Sequence, residues 1–206
     1  EKLNIKRFIL MSANGVKENG TRYQRTKYKA EQYLKESSLN WTIFRPSLIF
    51  GDSKGKQEFC SQLKKDMLSL PFPAPLFFDG LNIFNAGKFE MSPIHIKDVA
   101  KIFVKSLTIN KTFKQTYHLG GDNINWKDIL KIISIASNKE SKMLMPAPII
   151  FIKFVASILG NLLPVSKEQL TMLMEGNVCD SEEVFKIFGI NDPIKFIPEN
   201  LNYLSK

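Results

Sequence analysis

Apolar runs of strand length alternate with amphipathic stretches along the first two thirds of the chain. Residues 6–13 are apolar and uninterrupted, which predicts a strand covered on both faces, as in a parallel sheet. A helix is expected from Thr21, which can cap it, to about residue 36, with Ala30 and Leu34 on its apolar stripe and Lys and Glu on the exposed side. Residues 40–50 predict a second strand. This order indicates a βαβ unit with a right-handed crossover.

Shorter elements are expected to complete this α/β part of the chain. A charged loop and a short helix occupy residues 51–70, and residues 91–96 suit a strand. An amphipathic helix is predicted over residues 98–107, another strand over 115–119, and a helix over 126–136. Alternation of strands with helices is typical of an α/β fold with a parallel sheet.

The composition changes near residue 137, and everything from residue 141 onward is expected to be helical. We therefore predict a partial Rossmann-like domain over residues 1–137 and a helical substrate or docking lobe over 138–206. The apolar segment 146–164 in this lobe has a helical core of about 15 residues, below the roughly 20 needed to span a bilayer. It is expected to pack in the core, with contact to a membrane surface as the alternative.

Composition, charge and cysteine content indicate whether the chain is folded, which partners it could attract and in which compartment it is expected. Hydrophobic residues make up 44% and charged residues 24% of the 206 residues, which argues against disorder. The net charge of +9 could attract nucleic acid, anionic lipid or a phosphate-bearing cofactor. Because the lysines are scattered, we expect solvated faces, and nucleic acid is not an expected partner. Cys60 and Cys179 lack metal-site spacing and indicate a reducing, cytoplasmic compartment, with the inner face of a membrane as the alternative.

Tyr23 and Lys27 carry the first candidate chemistry. Residues four apart share one face of a helix, so the ammonium can lie near the phenol. A free phenol has a pKa of about 10, and a nearby positive charge favours the phenolate, which would let Tyr23 exchange a proton at neutral pH. The pair alone is a weak signal, because a lysine-rich chain places such pairs on helix surfaces by chance.

The neighbouring strand ends strengthen this signal. Ser12 ends the first strand, where its hydroxyl could polarise a substrate carbonyl, and Arg45, Pro46 and Ser47 end the second strand. Pro46 lacks an N–H and is expected to break the ladder, which would free backbone groups for a planar ligand. Open α/β folds bind ligands at this carboxyl edge of the sheet.

Other candidate residues have structural interpretations. His95 lies between apolar residues and is expected to be a satisfied structural histidine, while Asp98 is expected to cap the following helix. His118 has no evident partner in the sequence. Arg45 suits a phosphate or carboxylate ligand and a buried structural ion pair equally. Trp126 and Phe151 are expected in the core, so neither is a candidate site residue.

The ordered motifs resemble atypical, extended-type short-chain dehydrogenases/reductases, which are epimerase/dehydratase-like. Within them, the resemblance is strongest to the group of the NAD(P)H-binding accessory subunit of mitochondrial complex I. The matching segments are MSANG, RYQRTKYKAE, IFRPSLIFG, PIHIKDVA, YHLGG and QLTMLMEGNVCD. The resemblance implies a Rossmann-like fold that holds NAD or NADP. Both catalysis and cofactor binding without catalysis are open alternatives.

The resemblance also assigns site residues and reveals one departure. It implies that Tyr23 and Lys27 form the active-site pair and contact the cofactor, with Ser12 at the hydroxyl position. Pro46 and Ser47 would form the nicotinamide-side loop. Members of the family begin with a strand and a GxxGxxG turn that binds pyrophosphate, and no such turn occurs in this sequence. We therefore expect that about the first 100 residues of such a domain are missing.

Three functions remain open from the sequence. The first is an oxidoreductase acting on a carbonyl or quinone-like small molecule, with Tyr23 as acid/base, Lys27 assisting and Ser12 orienting the substrate. The second is a non-catalytic nucleotide-binding accessory subunit or assembly factor of a membrane-associated respiratory complex, which the basic charge and the apolar segment would suit. The third is a redox-sensing regulator. The sequence distinguishes neither NAD from NADP nor one substrate from another.

Overall fold

The computed structural model describes residues 5–137, 142–152 and 167–205. Within these ranges the chain forms two compact units, each assembled from three separate stretches. The first unit contains the described residues of Glu1–Ile49, Ser92–Asp122 and Val178–Lys195, and the second contains those of Phe50–Met91, Asn123–Asn177 and Phe196–Lys206. The predicted boundary near residue 137 and the role of the part that follows it stay predictions.

A three-stranded parallel sheet forms the centre of the first unit. Its strands are β1 (Arg7–Met11), β2 (Asn40–Pro46) and β7 (Gln115–Leu119), in the order β1-β2-β7. Helix α1 (Arg22–Lys35) connects β1 to β2. The predicted α/β class, the βαβ order and the strand over 115–119 are confirmed. Among the described strands β1 lies at the sheet edge, and its side chains are partly buried or, at Phe8 and Met11, exposed, so the expected cover on both faces is not observed.

Helix α1 begins as the sequence predicted, but its buried face differs. The Thr21 hydroxyl accepts a hydrogen bond from the Gln24 backbone N–H, and the Gln24 side chain accepts from the Thr21 N–H, which makes a capping box. Leu34 is buried as expected. However, Ala30 is exposed and Glu31 is completely buried, so the prediction that glutamate lies on the wet side is wrong at this position.

The apolar core of the first unit is built from β2, β7 and two helices. These helices are α3 (Ile96–Ser106) and α6 (Glu182–Phe188), and the short strand β6 (Ile94–His95) precedes α3. The buried side chains of this core include Phe44, Ile94, Val99, Ile102, Leu119, Val184, Phe188 and Ile190. Phe44 and Leu119, which come from the adjacent strands β2 and β7, therefore belong to the same core.

The cap of α3 corrects a prediction. His95, not Asp98, is the N-cap: its Nδ1 accepts a hydrogen bond from the Lys97 N–H at 3.1 Å. The Asp98 carboxylate is fully buried within the first turn and accepts a hydrogen bond from the Ile194 N–H at 2.7 Å. His95 is therefore a satisfied structural histidine, as expected.

The second unit contains short strands and helices. The helices with described bounds in this unit include α2 (Phe59–Leu63), which continues into a π-helical turn at Lys64–Leu68, α4 (Trp126–Ala136) and α5 (Lys167–Met174). The strands β5 (Glu90–Met91) and β8 (Ile124–Asn125) pair antiparallel. Single 3₁₀ turns occur at Ile83–Asn85 in this unit and at Asn110–Thr112 in the first, and a 3₁₀ segment spans Pro198–Ser205. Strand β3 (Ile49–Phe50) lies where the chain passes from one unit to the other.

One strand of the second unit replaces a predicted helix. Strand β9 (Leu144–Pro148) pairs parallel with β4 (Ala74–Phe78), although we expected only helix after residue 141. Pro146 and Pro148 explain the difference, because proline within a helix removes a hydrogen bond and clashes with the preceding turn. In the strand, Ala147 is buried, while Met145, Pro146 and Pro148 are exposed.

The predicted core residues of the second unit have different outcomes. Trp126 is fully buried, stacks on Phe77 and Phe89, and donates its Nε1–H to the Pro75 carbonyl oxygen at 3.0 Å. Phe151 is 59% exposed, so its expected place in the core is wrong.

The apolar segment 146–164 is only partly covered by the structure. Residues 153–164 lie outside the described residues, so the expected core helix or membrane contact stays a prediction. Across the described ranges, none of the helices has the length and hydropathy needed to cross a bilayer.

Candidate functional site

The loops after β1 and β2 meet at the carboxyl edge of the parallel sheet, within the first unit. The Ser12 N–H donates to the Phe44 carbonyl oxygen at 2.7 Å, and the Asn14 N–H donates to the Pro46 carbonyl oxygen at 2.8 Å. Ser12 is only 3% exposed. These bonds extend the β1–β2 ladder past the end of β1, and they hold the Ser12 segment beside the end of β2.

The loop after β2 is held in turn by β7. The Ser47 N–H donates to the Leu119 carbonyl oxygen at 2.7 Å, while the Pro46 carbonyl is occupied by Asn14. The expectation that Pro46 frees backbone groups here is therefore wrong, because the adjacent carbonyl and N–H both bond to neighbouring chain segments. The assignment of Pro46 and Ser47 to a nicotinamide-side loop stays a prediction.

Tyr23 and Lys27 lie on the first two turns of α1, near the end of β1. The Lys27 Nζ donates to the carbonyl oxygen of Met11, the last residue of β1, at 3.1 Å. It lies 5.8 Å from the centroid of the Tyr23 ring, and Tyr23 is 48% exposed. The pair therefore shares one helix face, as predicted, and the lysine anchors that face to the carboxyl edge of the sheet.

The protonation of Tyr23 differs from the expectation. Partial burial raises the pKa of the Tyr23 phenol, whereas we expected Lys27 to lower it. Burial disfavours the charged phenolate, and the lysine ammonium is directed to the Met11 carbonyl. In this arrangement Tyr23 is a protonated phenol at neutral pH, which is a hydrogen-bond donor and a proton donor.

Arg45 forms a bidentate ion pair with Glu31. The Arg45 Nε donates to Glu31 Oε1 at 2.9 Å, and Nη2 donates to Oε2 at 2.5 Å. The Glu31 side chain is fully buried, and the Arg45 side chain is 19% exposed. Of the two interpretations of Arg45, the structure supports the buried structural ion pair, and a role of Arg45 in cofactor binding stays a prediction.

Sequence reasoning missed Glu31, although a signal was present. Glu31 follows Lys27 by four residues and Tyr23 by eight, so all three lie on one side of α1. A glutamate on the face that also carries the candidate residues is a candidate for burial beside the sheet. Its partner Arg45 could not be identified from helical periodicity, because it lies on another element.

Both members of the ion pair are charged at neutral pH. Burial by itself raises the pKa of the Glu31 carboxyl. The hydrogen bonds from Arg45 and the positive charges of Arg45 and Lys35 outweigh burial and hold this pKa below its usual value. The hydrogen bond to Glu31 raises the pKa of Arg45. The edge of the sheet therefore carries an internally neutralised pair of charges.

His118 completes the polar groups at this edge. It lies opposite Arg45 in the β2–β7 register, and its Nδ1 is 2.7 Å from Asn14 Oδ1. Asn14 in turn donates through Nδ2 to the Val178 carbonyl oxygen at 3.1 Å. Burial, followed by the charge of Arg45, lowers the pKa of His118. A neutral His118 with a proton on Nδ1 satisfies the Asn14 oxygen.

The structure thus brings the candidate residues to one sheet edge from three elements. Ser12 follows β1, Tyr23 and Lys27 come from α1, and Arg45, Pro46 and Ser47 come from the end of β2 and the residue after it. The chemical groups available are a half-exposed phenol and an ammonium beside a buried hydroxyl. The roles of these residues in binding or catalysis stay predictions.

Comparison with sequences supports the resemblance. Residues 1–67 match the sequence model of a family described as NAD(P)H-binding. The mitochondrial NADH dehydrogenase [ubiquinone] 1 alpha subcomplex subunit 9 of Dictyostelium discoideum is 27% identical over 118 residues. That match covers 57% of this chain and 30% of the relative.

Comparison with solved structures supports the fold. The crystal structure of gox2253 has a TM-score of 0.66 and 18% identity, and the match covers 98% of this chain and 65% of that chain. UDP-glucuronic acid 4-epimerase from Bacillus cereus, solved with UDP-glucuronic acid and NAD, has a TM-score of 0.60 and 15% identity, covering 97% and 60%. The matches thus span less than two thirds of each of these proteins. These structural matches confirm the Rossmann-like fold.

Proposed function

We propose that this chain, which resembles atypical short-chain dehydrogenases/reductases, contributes the nicotinamide side of an NAD(P)-binding site in its first unit. The observation that carries the proposal is the hydrogen bond from Lys27 to Met11, which anchors the Tyr23–Lys27 face at the carboxyl edge of the sheet. Open α/β folds bind nucleotides at this edge. The match of residues 1–67 to the NAD(P)H-binding family supports the same ligand.

The side chains at this edge suit the sugar of a pyridine nucleotide. A lysine ammonium has three N–H donors, so the bond from Lys27 to Met11 leaves two for ribose hydroxyls. The half-exposed Tyr23 hydroxyl can both donate and accept. Arg45 is bonded to Glu31 and is not assigned to a phosphate. No residue of this sequence is assigned to the pyrophosphate, because the sequence has no GxxGxxG turn.

The same groups suit reduction of a carbonyl or quinone-like substrate. When bound, NAD(P)H would supply a hydride. Tyr23, whose pKa is raised by burial, would hold the proton that the substrate oxygen takes up. The nearby Lys27 charge would stabilise the phenolate that this transfer leaves, and the Ser12 hydroxyl would orient the substrate oxygen. The direction of the Tyr23 pKa shift favours proton donation over proton abstraction.

Dinucleotide binding tests the proposal directly. The protein encoded by the complete reading frame is titrated with NADH and NADPH, and binding is followed by nicotinamide fluorescence. Lys27→Met removes charge-assisted hydrogen bonds worth roughly 1.5–3 kcal/mol, so affinity should fall about tenfold or more. Lys29→Met, at an exposed lysine of the same helix, is the matched control. Equal affinities of the two variants would contradict the proposal.

Turnover tests the catalytic part of the proposal separately. Tyr23→Phe should retain dinucleotide binding but lower turnover by roughly 10²- to 10⁴-fold, the usual contribution of general acid catalysis. Tyr33→Phe is the control, because Tyr33 is an 82% exposed tyrosine of the same helix. Undiminished turnover in Tyr23→Phe would remove Tyr23 from the chemistry.

A second candidate function is a nucleotide-binding accessory subunit of a membrane-associated respiratory complex. The relative from Dictyostelium discoideum, named as a subunit of NADH dehydrogenase, favours it, and the net charge of +9 suits docking on an anionic surface. The test is native gel electrophoresis of gently solubilised membranes. Comigration with a large assembly and binding without turnover would support this candidate. Binding without turnover in an unassociated protein would favour a redox-sensing regulator.

A further inference from the structure

We propose that Glu31 is a positioning residue of this site, acting through Arg45 to fix the helix face that carries Tyr23 and Lys27. The inference rests on the proposed dinucleotide site. Its structural basis is the bidentate ion pair, which joins the second half of α1 to the end of β2. Glu31 is fully buried and is not assigned a contact with the cofactor.

The ion pair restricts how α1 can move on the sheet. Lys27 bonds to the end of β1, and Glu31, one turn later, bonds to Arg45 near the end of β2. Two anchors on adjacent strands prevent rotation of the helix about its own axis and sliding along the sheet. The two parallel hydrogen bonds of a bidentate contact fix both the distance and the relative orientation of the Arg45 and Glu31 side chains, whereas a single hydrogen bond leaves the orientation free.

Because Glu31 is buried, neither member of the ion pair can be removed without a large loss of stability. A buried carboxylate without a partner is strongly unfavourable, and so is the arginine left behind when its carboxylate is removed. Lys35 approaches Glu31 Oε2 only to 3.8 Å from the partly exposed side and cannot replace Arg45. Loss of the Glu31 charge should therefore move the end of β2 or the face of α1, and with them the Lys27 ammonium.

The test compares two buried carboxylates of the same unit in the protein from the complete reading frame. Glu31→Gln should lower both the thermal midpoint and the affinity for NADH, the latter about tenfold, equal to about 1.4 kcal/mol. Asp98→Asn is the matched control, because Asp98 is equally buried and also ion-paired, at 3.4 Å from Lys101. It should lower the thermal midpoint without changing NADH affinity, measured at a temperature where each variant is folded.

A double-mutant cycle with Lys27→Met distinguishes positioning from a general loss of stability. If Glu31 acts by placing Lys27, the double variant should bind NADH no more weakly than Lys27→Met alone. Additive losses would overturn the proposal. If Glu31→Gln does not fold, Arg45→Lys replaces it in the cycle, because it keeps the charge but loses the bidentate geometry.

The outcomes separate this inference from the proposed function. A wild-type protein that binds neither NADH nor NADPH would overturn both. Wild-type binding together with unchanged affinity in Glu31→Gln would overturn only the positioning role. Two results together would support the positioning role. Glu31→Gln lowers NADH affinity whereas Asp98→Asn does not, and Glu31→Gln causes no further loss in the Lys27→Met background.

Discussion

The Lys27 ammonium donates a hydrogen bond to the carbonyl oxygen of Met11 at 3.1 Å. Met11 is the last residue of β1, and Lys27 lies in the second turn of α1. A lysine in the sequence pattern of an active-site pair is thus bonded to the strand end that carries Ser12, rather than to the phenol of Tyr23. Because the ammonium bonds to Met11, burial of the Tyr23 side chain determines the direction in which the pKa of its phenol shifts.

We predict that Tyr23 titrates above the usual phenol value of about 10 in the protein without dinucleotide. Burial raises the pKa of Tyr23 because it disfavours the phenolate. The measurement is an ultraviolet absorbance titration of the wild-type protein and of the Tyr23→Phe variant. Subtracting the second titration from the first cancels the signals of the other tyrosines. A Tyr23 transition at or below pH 10 would contradict the prediction and show that Lys27 activates the phenol.

Glu31 should contribute to stability only above acidic pH. A carboxyl whose pKa is lower in the folded than in the unfolded protein stabilises the fold above the unfolded pKa, about 4.3 for glutamate, and this contribution disappears as the pH falls through the folded pKa. At pH 7, Glu31→Gln should lower the free energy of unfolding by about 3 kcal/mol, as expected when one partner of a buried ion pair is removed.

Urea unfolding of wild-type protein and Glu31→Gln between pH 7 and pH 3 measures this contribution. The difference in the free energy of unfolding should be constant near neutral pH and shrink below about pH 4.3. Lys35→Met should have a much smaller effect at every pH, because Lys35 is 3.8 Å from Glu31 and partly exposed. A difference independent of pH would mean that the ionised carboxylate is not what stabilises the fold.

The cap of α3 should tolerate asparagine but not alanine at position 95. The His95 Nδ1 accepts the Lys97 N–H, and asparagine is among the best N-cap residues. We therefore expect His95→Ala to lower the free energy of unfolding by about 1 kcal/mol and His95→Asn to restore much of it. Chemical denaturation of the three proteins measures the series. A larger loss of dinucleotide binding than of stability would instead assign His95 to the site.

The second glycine of the YHLGG segment should not accept a side chain. A Cβ at Gly121 would lie 2.3 Å from the Pro93 carbonyl oxygen, a backbone atom held by the surrounding chain. Gly121→Ala should therefore lower the free energy of unfolding by about 1–3 kcal/mol, the usual cost of overpacking. Gly80→Asn is the control, because nothing lies within 4 Å of that Cβ and asparagine tolerates the left-handed backbone. Equal midpoints in thermal unfolding would contradict the close contact.

Local patterns predicted the elements that carry the site. Thr21 and Gln24 form their capping box because the residues that make it are three apart, so the start of α1 was readable without tertiary contacts. Tyr23 and Lys27 share a face for the same reason. The predictions failed where a partner came from another element: Glu31 was assigned to the exposed face, and Asp98 was assigned as a cap that His95 provides.

The sequence by itself determined the α/β order, the placement of Ser12, Tyr23, Lys27 and Arg45 near strand ends, and the resemblance to short-chain dehydrogenases/reductases. These follow from periodicity, capping and ordered motifs, which are properties of neighbouring residues. Only the tertiary structure decided that Arg45 pairs with Glu31, that Lys27 bonds to Met11, and that Pro146 and Pro148 lie in a strand. These outcomes depend on residues that are distant in the sequence and close in the fold. A buried charge such as that of Glu31 is stable only when it is paired, and its partner can lie on any element that the fold places beside it.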